Sequence, residues 1–339
     1  MNYYPWLKPL LFTLDAEKAH SLTLKLLKLS DNCGLSGLLN PKMIVQPVEL
    51  MGLRFANSVG LAAGLDKNGD YIDSLSALGF GFLEIGTVTP RAQIGNPKPR
   101  LFRLPEHEAI INRMGFNNQG IDYLLKQVAS SQYRGILGIN IGKNADTPIE
   151  KATDDYLICL RKAYTAASYI TINISSPNTK NLRQLQQGDE IKKLLSALKE
   201  EQQQLQQQHD KYTPLVVKIA PDLNNDEIQH IAALLQEFNI DGVIATNTTI
   251  DRSAIVGHAY EHEAGGLSGQ PVKQKSTAVI TALAAELQGK VPIIAAGGIA
   301  SGADAQEKLA AGASLVQVYS GLIYQGPYLA HQIMRTLQN

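Results

Sequence analysis

Residues 172–181, INISSPNTKN, turn from an apolar β-branched run into Ser175, Ser176, Pro177, Asn178 and Thr179, with no histidine or carboxylate beside them. A serine that attacks a carbonyl needs an adjacent base, so this pair points to another use of a hydroxyl. Asn112, Asn117, Asn140, Asn173, Asn178 and Asn247 recur at the ends of apolar segments. Each amide offers a donor and an acceptor, which suits the alternating N–H and C=O edge of a planar imide or pyrimidine ring. Lys218 interrupts the apolar run VVKIA, and an ammonium there needs a partner because burying it alone is costly. It reads either as the Schiff-base nucleophile of an aldolase or as a fixed positive charge against an anionic ring such as a reduced flavin. Lys67, after AAGLD, offers a second cation for a phosphate or carboxylate, although an exposed loop lysine fits the same pattern.

Glycine-rich stretches at GGLSG (265–269), AAGGI (295–299) and VYSG (318–321) supply backbone N–H groups that an anion can approach closely. Neither a GxxxxGK[ST] loop nor a GxGxxG strand-to-helix turn is present, so mononucleotide P-loop and dinucleotide sites are not supported. A phosphate-bearing cofactor is the better fit, with flavin mononucleotide and pyridoxal phosphate as candidates.

The elements that must position these residues alternate. Apolar strands are expected at 58–64, 82–88, 135–142, 169–175, 214–220, 242–247, 292–299 and 315–320, each followed by a helical stretch. Eight such repeats indicate a closed (β/α)₈ TIM barrel of parallel strands, with an open doubly wound sheet as the alternative. Their carboxyl ends carry Lys67, Thr87, Asn140, Asn173, Lys218, Thr246 with Asn247, Gly297 with Gly298, and Tyr319 with Ser320. A barrel gathers all eight ends on its active face. Residues 101–116 alternate like a hairpin and suit a lid over that face, and the Gln-rich run 184–208 has a helical face at Ile191, Leu194, Leu195 and Leu198. Residues 251–265 carry no readable signal.

The first forty residues differ in character. Tyr3, Tyr4, Trp6, Leu7, Leu10, Leu11 and Leu14, then Leu22, Leu26 and Leu29, recur at helical spacing and predict two short amphipathic helices ending near 31–34. They read as a helical cap on the barrel or as a hairpin lying in a membrane interface. The chain of 339 residues has 31 Lys plus Arg against 31 Asp plus Glu, which argues against nucleic acid as the main partner. Cys33 and Cys159 have neither metal-ligand nor disulfide spacing, consistent with a reducing cytosol. No metal site is expected. No run of about 18 apolar residues or signal peptide is evident, so the chain reads as neither spanning a membrane nor exported.

GLAAGLDKNG, EIGTVTPRAQIGNPKPRLFRL, INRMGFNNQG, GINIGKN, INISSPNT, VKIAPDL, GVIATNTT, GGLSG, AAGGI and LVQVYSG, in order over residues 50–339, resemble dihydroorotate dehydrogenase, specifically its class 2, quinone-dependent branch. The resemblance implies a flavin mononucleotide enzyme of pyrimidine synthesis that oxidises dihydroorotate to orotate and passes electrons to a membrane quinone. It divides the chain into a membrane-associating, quinone-tunnel segment at 1–40 and a catalytic barrel at 41–339. Carried over by motif, Ala63, Gly64, Leu65, Asp66, Lys67, Thr87, Asn140, Asn173, Lys218, Thr246, Gly269, Gly298, Tyr319 and Ser320 would hold the flavin. Lys67, Asn112, Arg113, Met114, Gly115, Phe116, Asn173, Asn178, Asn247 and Thr248 would hold the substrate. Ser176 matches the base that takes the C5 proton while hydride leaves C6 for flavin N5; soluble-acceptor class 1 relatives carry cysteine there. Thr179 is expected to relay the proton, and His20, Arg103 and Tyr319 to border the quinone. The expected setting is peripheral, on the cytoplasmic face of the cell membrane, as a monomer. A class 1-type enzyme with a soluble acceptor and a lysine-dependent barrel aldolase or lyase are the alternatives.

Overall fold

The computed structural model describes residues 2–35, 41–179, 181–186 and 188–338. Its chain begins with two helices, α1 (Tyr4–Thr13) and α2 (Ala16–Asn32), where the leucine spacing places them. Asp15 separates them because its carboxylate caps α2, accepting from the N–H groups of Glu17 and Lys18. Helix α2 docks on the barrel through Ala19 and Leu24. Glu17 accepts two hydrogen bonds from Arg100, at 2.8 and 3.2 Å. Helix α1 buries none of its residues and leaves Trp6 75% and Leu10 68% exposed. The cap and the outward-facing apolar hairpin are thus two faces of one segment. The expected boundary at 40 falls within 36–40, outside the described residues.

A hairpin of β1 (Val48–Leu50) and β2 (Leu53–Phe55) then closes the bottom of the barrel, with Phe55 edge-on to Phe82 at a centroid distance of 5.1 Å. The barrel strands are β3 (Val59–Leu61), β4 (Phe82–Val88), β7 (Ile136–Ile141), β8 (Tyr169–Asn173), β9 (Leu215–Ile219), β10 (Gly242–Ala245), β12 (Ile293–Ala296) and β13 (Leu315–Val318). All eight predicted strands form, pair in parallel and close the ring in that order, with β13 returning to β3. The open sheet is therefore excluded. Inside the ring, Phe82, Tyr169, Val216, Ile244, Ile294 and Leu315 fill the lower layer. Gly138 makes room for Tyr169, whose ring atoms would lie 2.3 Å from a Cβ at that position. With its lower end filled by aromatic and branched side chains, the barrel offers a site only at the upper, carboxyl face.

Outside the ring lie α3 (Ile72–Ser76), α4 (Ile121–Ser130), α5 (Ala152–Ala163), α6 (Gly188–His209), α7 (Asn225–Glu237), α8 (Lys273–Leu287), α9 (Gly302–Ala310), α10 (Ser320–Gln325) and α11 (Leu329–Leu337). Helix α6 buries Ile191, Leu194, Leu195 and Leu198 as its pattern predicts. The Gln-rich run is less solvated than its composition suggests, since Gln186 and Gln202 are also buried and bond the backbone of Ala220 and Thr213.

The expected lid is present as β5 (Leu101–Leu104) and β6 (Ala109–Asn112), and it gains a third strand, β11 (Gly266–Gly269), antiparallel to β6. GGLSG was expected to be a phosphate-binding turn and is mainly a strand; its Gly-Leu-Ser-Gly composition hides this, since pairing rather than propensity makes it one. Residues 251–265 buttress the lid. Tyr260 packs on Phe102 at 5.2 Å between centroids, Arg113 pairs with Glu263, and Arg252 donates to the Glu263 and Gly265 carbonyls at 2.9 and 2.6 Å.

Candidate active site

The upper mouth of the barrel opens into a cavity of ≈ 1010 Å³, mouth included, between the strand ends and the lid. Of the residues singled out from the sequence, Ala63, Gly64, Lys67, Thr87, Asn173, Lys218, Thr246, Gly269, Gly298, Tyr319 and Ser320 line it. So do Asn112, Met114, Gly115, Phe116, Ser176, Asn178, Asn247 and Thr248. Leu65, Asp66, Arg113, Asn140, Thr179, His20 and Arg103 do not form its wall.

Asp66 instead organises the loop that carries Lys67. Its carboxylate accepts from the backbone N–H groups of Asn68, Gly69, Asp70 and Tyr71, at 2.8–3.3 Å. Lys67 is thereby held in the cavity wall rather than in solvent, with its ammonium 2.6 Å from Asn117 Oδ1. Burial, reinforced by the nearby Arg100 guanidinium, pushes its pKa down to about 7. His20 lies close enough to feel the Lys67 charge. Burial first and Lys67 second lower its pKa to about 4, so it is a neutral imidazole at physiological pH. Arg103 spends its guanidinium on the carbonyls of Leu11, Phe12 and Leu14 and stacks on Phe12, 4.6 Å from the ring centroid. It ties the turn between α1 and α2 to the lid.

At the opposite end, Gly297, Gly298 and the start of α10 form a cradle, with the Ser268 and Ser320 hydroxyls 2.8 Å apart. The first-turn N–H groups of a helix have no intrahelical acceptor and favour an anion. The glycines have a second reason to be there: a Cβ on Gly298 would sit 2.4 Å from the Lys273 side chain, and one on Gly269 2.1 Å from the Glu108 carbonyl. Close backbone packing, not only ligand approach, demands them.

Between the ends lies the polar floor. The two adjacent serines have different tasks. Ser175 is wholly engaged, donating to Asn173 Oδ1 at 3.0 Å and accepting from Asn247 Nδ2 at 2.9 Å. Ser176 faces the cavity; its Oγ accepts from the Asn178 N–H at 3.2 Å, and its own proton has no acceptor among the described residues. Asn178 reaches across to Asn112 Oδ1 at 3.1 Å, joining the loop after β8 to the lid. Thr179 Oγ1 is enclosed without a partner. Lys218 is 6% exposed and its ammonium hydrogen-bonds no described side chain. Burial lowers its pKa while the Glu84 carboxylate opposes that.

Three participants escaped the sequence reading. Glu84, 1% exposed in the middle of β4, lies beneath the cavity floor, and Gln317 on β13 lines that floor and donates to Glu84. Arg183 bonds the carbonyls of Ser175 and Thr248 at 3.0 and 2.8 Å and pairs with Asp222 at 2.9 Å, fastening three strand-end loops together. A charge inside an apolar strand, the signal that exposed Lys218, would have found Glu84; nothing local marks Arg183.

A closed parallel barrel with a glycine cradle, two lysines and an asparagine floor at its carboxyl face has its polar groups where (β/α)₈ enzymes carry their active sites. The dihydroorotate dehydrogenase family model matches residues 45–339. The chain is 64% identical to the dihydroorotate dehydrogenase (quinone) of Chromobacterium violaceum over 98% of its length and 96% of that protein. It is 59% identical to that of Paraburkholderia phymatum over 99% and 98%. Among solved structures, the Eimeria tenella enzyme in complex with ferulenol superposes with a TM-score of 0.87 at 39% identity, covering 95% of this chain and 90% of that one. This chain belongs to the dihydroorotate dehydrogenase family, in its quinone-dependent class 2 branch.

Proposed function

We propose that the protein oxidises dihydroorotate to orotate and delivers the electrons to a membrane quinone, with flavin mononucleotide as cofactor, in pyrimidine synthesis. The observation that carries this reading is Ser176, a hydroxyl with a free proton set among ring-reading asparagines and a buried, unpaired lysine. The residues present suit flavin mononucleotide. The cradle of Gly297, Gly298 and Ser320 accepts a phosphate, Lys218 brings a cation in need of a partner, and the enclosed Gln317 Oε1 has no donor. Ala63, Gly64, Thr87, Thr246, Gly269 and Tyr319 would complete that side, with Asn140 behind it. When bound there, the flavin supplies the hydride acceptor.

The chain's own groups do the rest. Lys67 and the asparagines 112, 173, 178 and 247 hold the substrate's carboxylate and imide edge, with Met114, Gly115 and Phe116 of the lid excluding water and Thr248 closing the side. Ser176 Oγ takes the C5 proton. A neutral hydroxyl is a weak base and must release its own proton as it accepts one; the enclosed, unpartnered Thr179 hydroxyl suits the next step of that relay. His20 on α2, Arg103 at the turn that joins α1 to α2, and Tyr319 in the cavity wall are assigned to the quinone path. Burial holds the Tyr319 phenol protonated, its pKa raised to about 12.

No described helix is long and apolar enough to cross a membrane. The exposed Trp6, Leu7, Leu10, Leu22, Leu26 and Leu29 instead suit an interfacial seat, and the proposal is of a peripheral, monomeric protein at the cytoplasmic face of the cell membrane.

The decisive experiment is anaerobic addition of dihydroorotate to the purified protein. A yellow protein that bleaches and recovers its colour with quinone is expected. Recovery with a soluble acceptor but not quinone would support the class 1-type alternative. A colourless protein trapped by borohydride at Lys218 would replace both readings with an aldolase.

Lys67 adds a pH dependence. The orotate carboxylate favours the charged ammonium, so binding above the free-state pKa of about 7 requires uptake of a proton. Orotate affinity should be flat near pH 6 and fall toward about tenfold per pH unit above 7. Titration calorimetry from pH 6 to 8.5 would show this, and a flat profile in the wild type would remove Lys67 from the carboxylate.

A further inference from the structure

The asparagines that read a ring can do so only if each amide faces the right way round, and an amide is free to turn by half a revolution unless its neighbours forbid it. In this cavity the constraint begins beneath the floor. Four donors converge on the Glu84 carboxylate: Asn140 Nδ2 at 2.8 Å, Gln317 Nε2 at 2.9 Å, the Tyr169 hydroxyl at 3.0 Å and the Thr171 hydroxyl at 3.2 Å. With donors on both of its oxygens the carboxylate serves throughout as acceptor, so Asn140 turns its NH₂ downward and its Oδ1 upward. That oxygen accepts from Thr87 Oγ1 at 2.5 Å and from Asn173 Nδ2 at 3.2 Å. Asn173 is thereby turned in its own sense, with Oδ1 receiving the Ser175 hydroxyl at 3.0 Å. Ser175 in turn accepts from Asn247 Nδ2 at 2.9 Å, and Asn247 Oδ1 accepts from the Thr248 N–H at 2.8 Å. On the other branch, Gln317 spends its NH₂ on Glu84 and leaves Oε1 enclosed at the cavity floor with no partner.

We infer that Glu84 is a positioning residue, an acceptor-only anchor that sets the donor and acceptor polarity of the whole amide floor, Asn140, Asn173, Asn247 and Gln317. It is not part of the cavity wall. Because its neighbours are all donors, reversing any one amide would set oxygen against oxygen and strand a buried donor, which is far more costly than in water. The inference rests on the proposed reading of the cavity as an orotate site, and it explains why a carboxylate is kept in the interior of the barrel, within reach of the Lys218 charge.

The test compares E84Q, which has the same shape but can present NH₂ or oxygen to Asn140, with E84D, which keeps an acceptor-only group. Orotate affinity is measured on the cofactor-loaded protein by the perturbation of its visible spectrum. E84Q should weaken orotate binding at least tenfold while E84D stays within threefold of wild type. Thermal midpoint and cofactor content should follow neither order, whereas a role confined to packing would move those and leave the affinity of the loaded fraction unchanged. Equal affinity of E84Q and wild type, or weaker binding by E84D than by E84Q, overturns the inference. Should E84Q fail to fold, wild-type protein carrying ¹⁵N-labelled asparagine replaces it. The Asn140 and Asn173 side-chain NH₂ protons should exchange slowly with solvent with and without orotate; exchange as fast as that of an exposed asparagine at either residue refutes the anchor. A wild-type protein that binds no orotate would instead defeat the proposed function.

Discussion

Replacing Ser176 with alanine is expected to slow dihydroorotate-driven bleaching of the bound flavin by about 10³-fold, within the range over which a positioned base contributes, while orotate binds within about threefold of wild type. The separation follows from geometry. Ser176 Oγ takes one hydrogen bond, from the Asn178 N–H, and holds up no other part of the floor; Ser175 does that work through Asn173 and Asn247. S175A should therefore show the opposite pattern, with a larger loss of orotate affinity. S176C gives a sharper readout. A thiol titrates near 8.5, much closer to working pH than a hydroxyl, so its bleaching rate should rise with pH toward that value where the wild type shows no such limb. Thr179, enclosed and without a partner among the described residues, is the proposed next station of the proton. T179A should slow single-turnover bleaching with orotate affinity unchanged. Stopped-flow absorbance across pH 6–9 separates all four variants, and an S176A rate within tenfold of wild type would remove Ser176 from the reaction.

How much of this could be read from residues alone depends on what kind of constraint each residue answers to. The eight barrel strands were legible because strands buried on both faces must be apolar along their whole length, and the lid hairpin because one of its faces is not. β11 was not legible: Gly266–Gly269 is a strand only because β6 offers it a partner. Lys67, Thr87, Asn173, Lys218, Thr246, Asn247, Tyr319 and Ser320 were found as polar interruptions at strand ends and do line one cavity, whereas Ala63, Met114 and Phe116 came only from the resemblance of their motifs. Asp66 and Arg113 lie in the right motifs yet act one step back, on the loop backbone and on Glu263. Arg183 could not have been found, since its three partners, Ser175, Thr248 and Asp222, are brought together only by closure of the barrel. Glu84 could have been. It breaks FLEIGTV as Lys218 breaks VVKIA, and the two charges belong to the same interior.

The second large effect concerns the helices, and their packing dictates how it should be measured. Deleting residues 1–40 should preserve bleaching and abolish turnover with long-chain quinone, but it also strips Glu17 from Arg100, which is only 7% exposed, and Leu24 from the core. A buried guanidinium left without its carboxylate is destabilising in its own right. Substituting serine for Trp6, Leu7 and Leu10 isolates the surface effect, because these side chains are 53–75% exposed and bury nothing in the fold. If each contributes about 1 kcal/mol by entering a lipid interface, somewhat below the value for full burial, the triple variant should partition onto anionic vesicles about 100-fold more weakly. Long-chain quinone dissolved in those vesicles should then turn over at least tenfold more slowly, with bleaching by dihydroorotate and turnover with a short, water-soluble quinone within about twofold of wild type. Because α1 meets the barrel through the Arg103 clamp and Tyr4, whose hydroxyl donates to the Ile323 carbonyl, a seat in the interface would set the quinone's entrance beside the helix that carries His20. Co-sedimentation with vesicles and steady-state rates on the same samples give both numbers, and a triple variant that sediments and turns over long-chain quinone like wild type would show that α1 is a cap and no more.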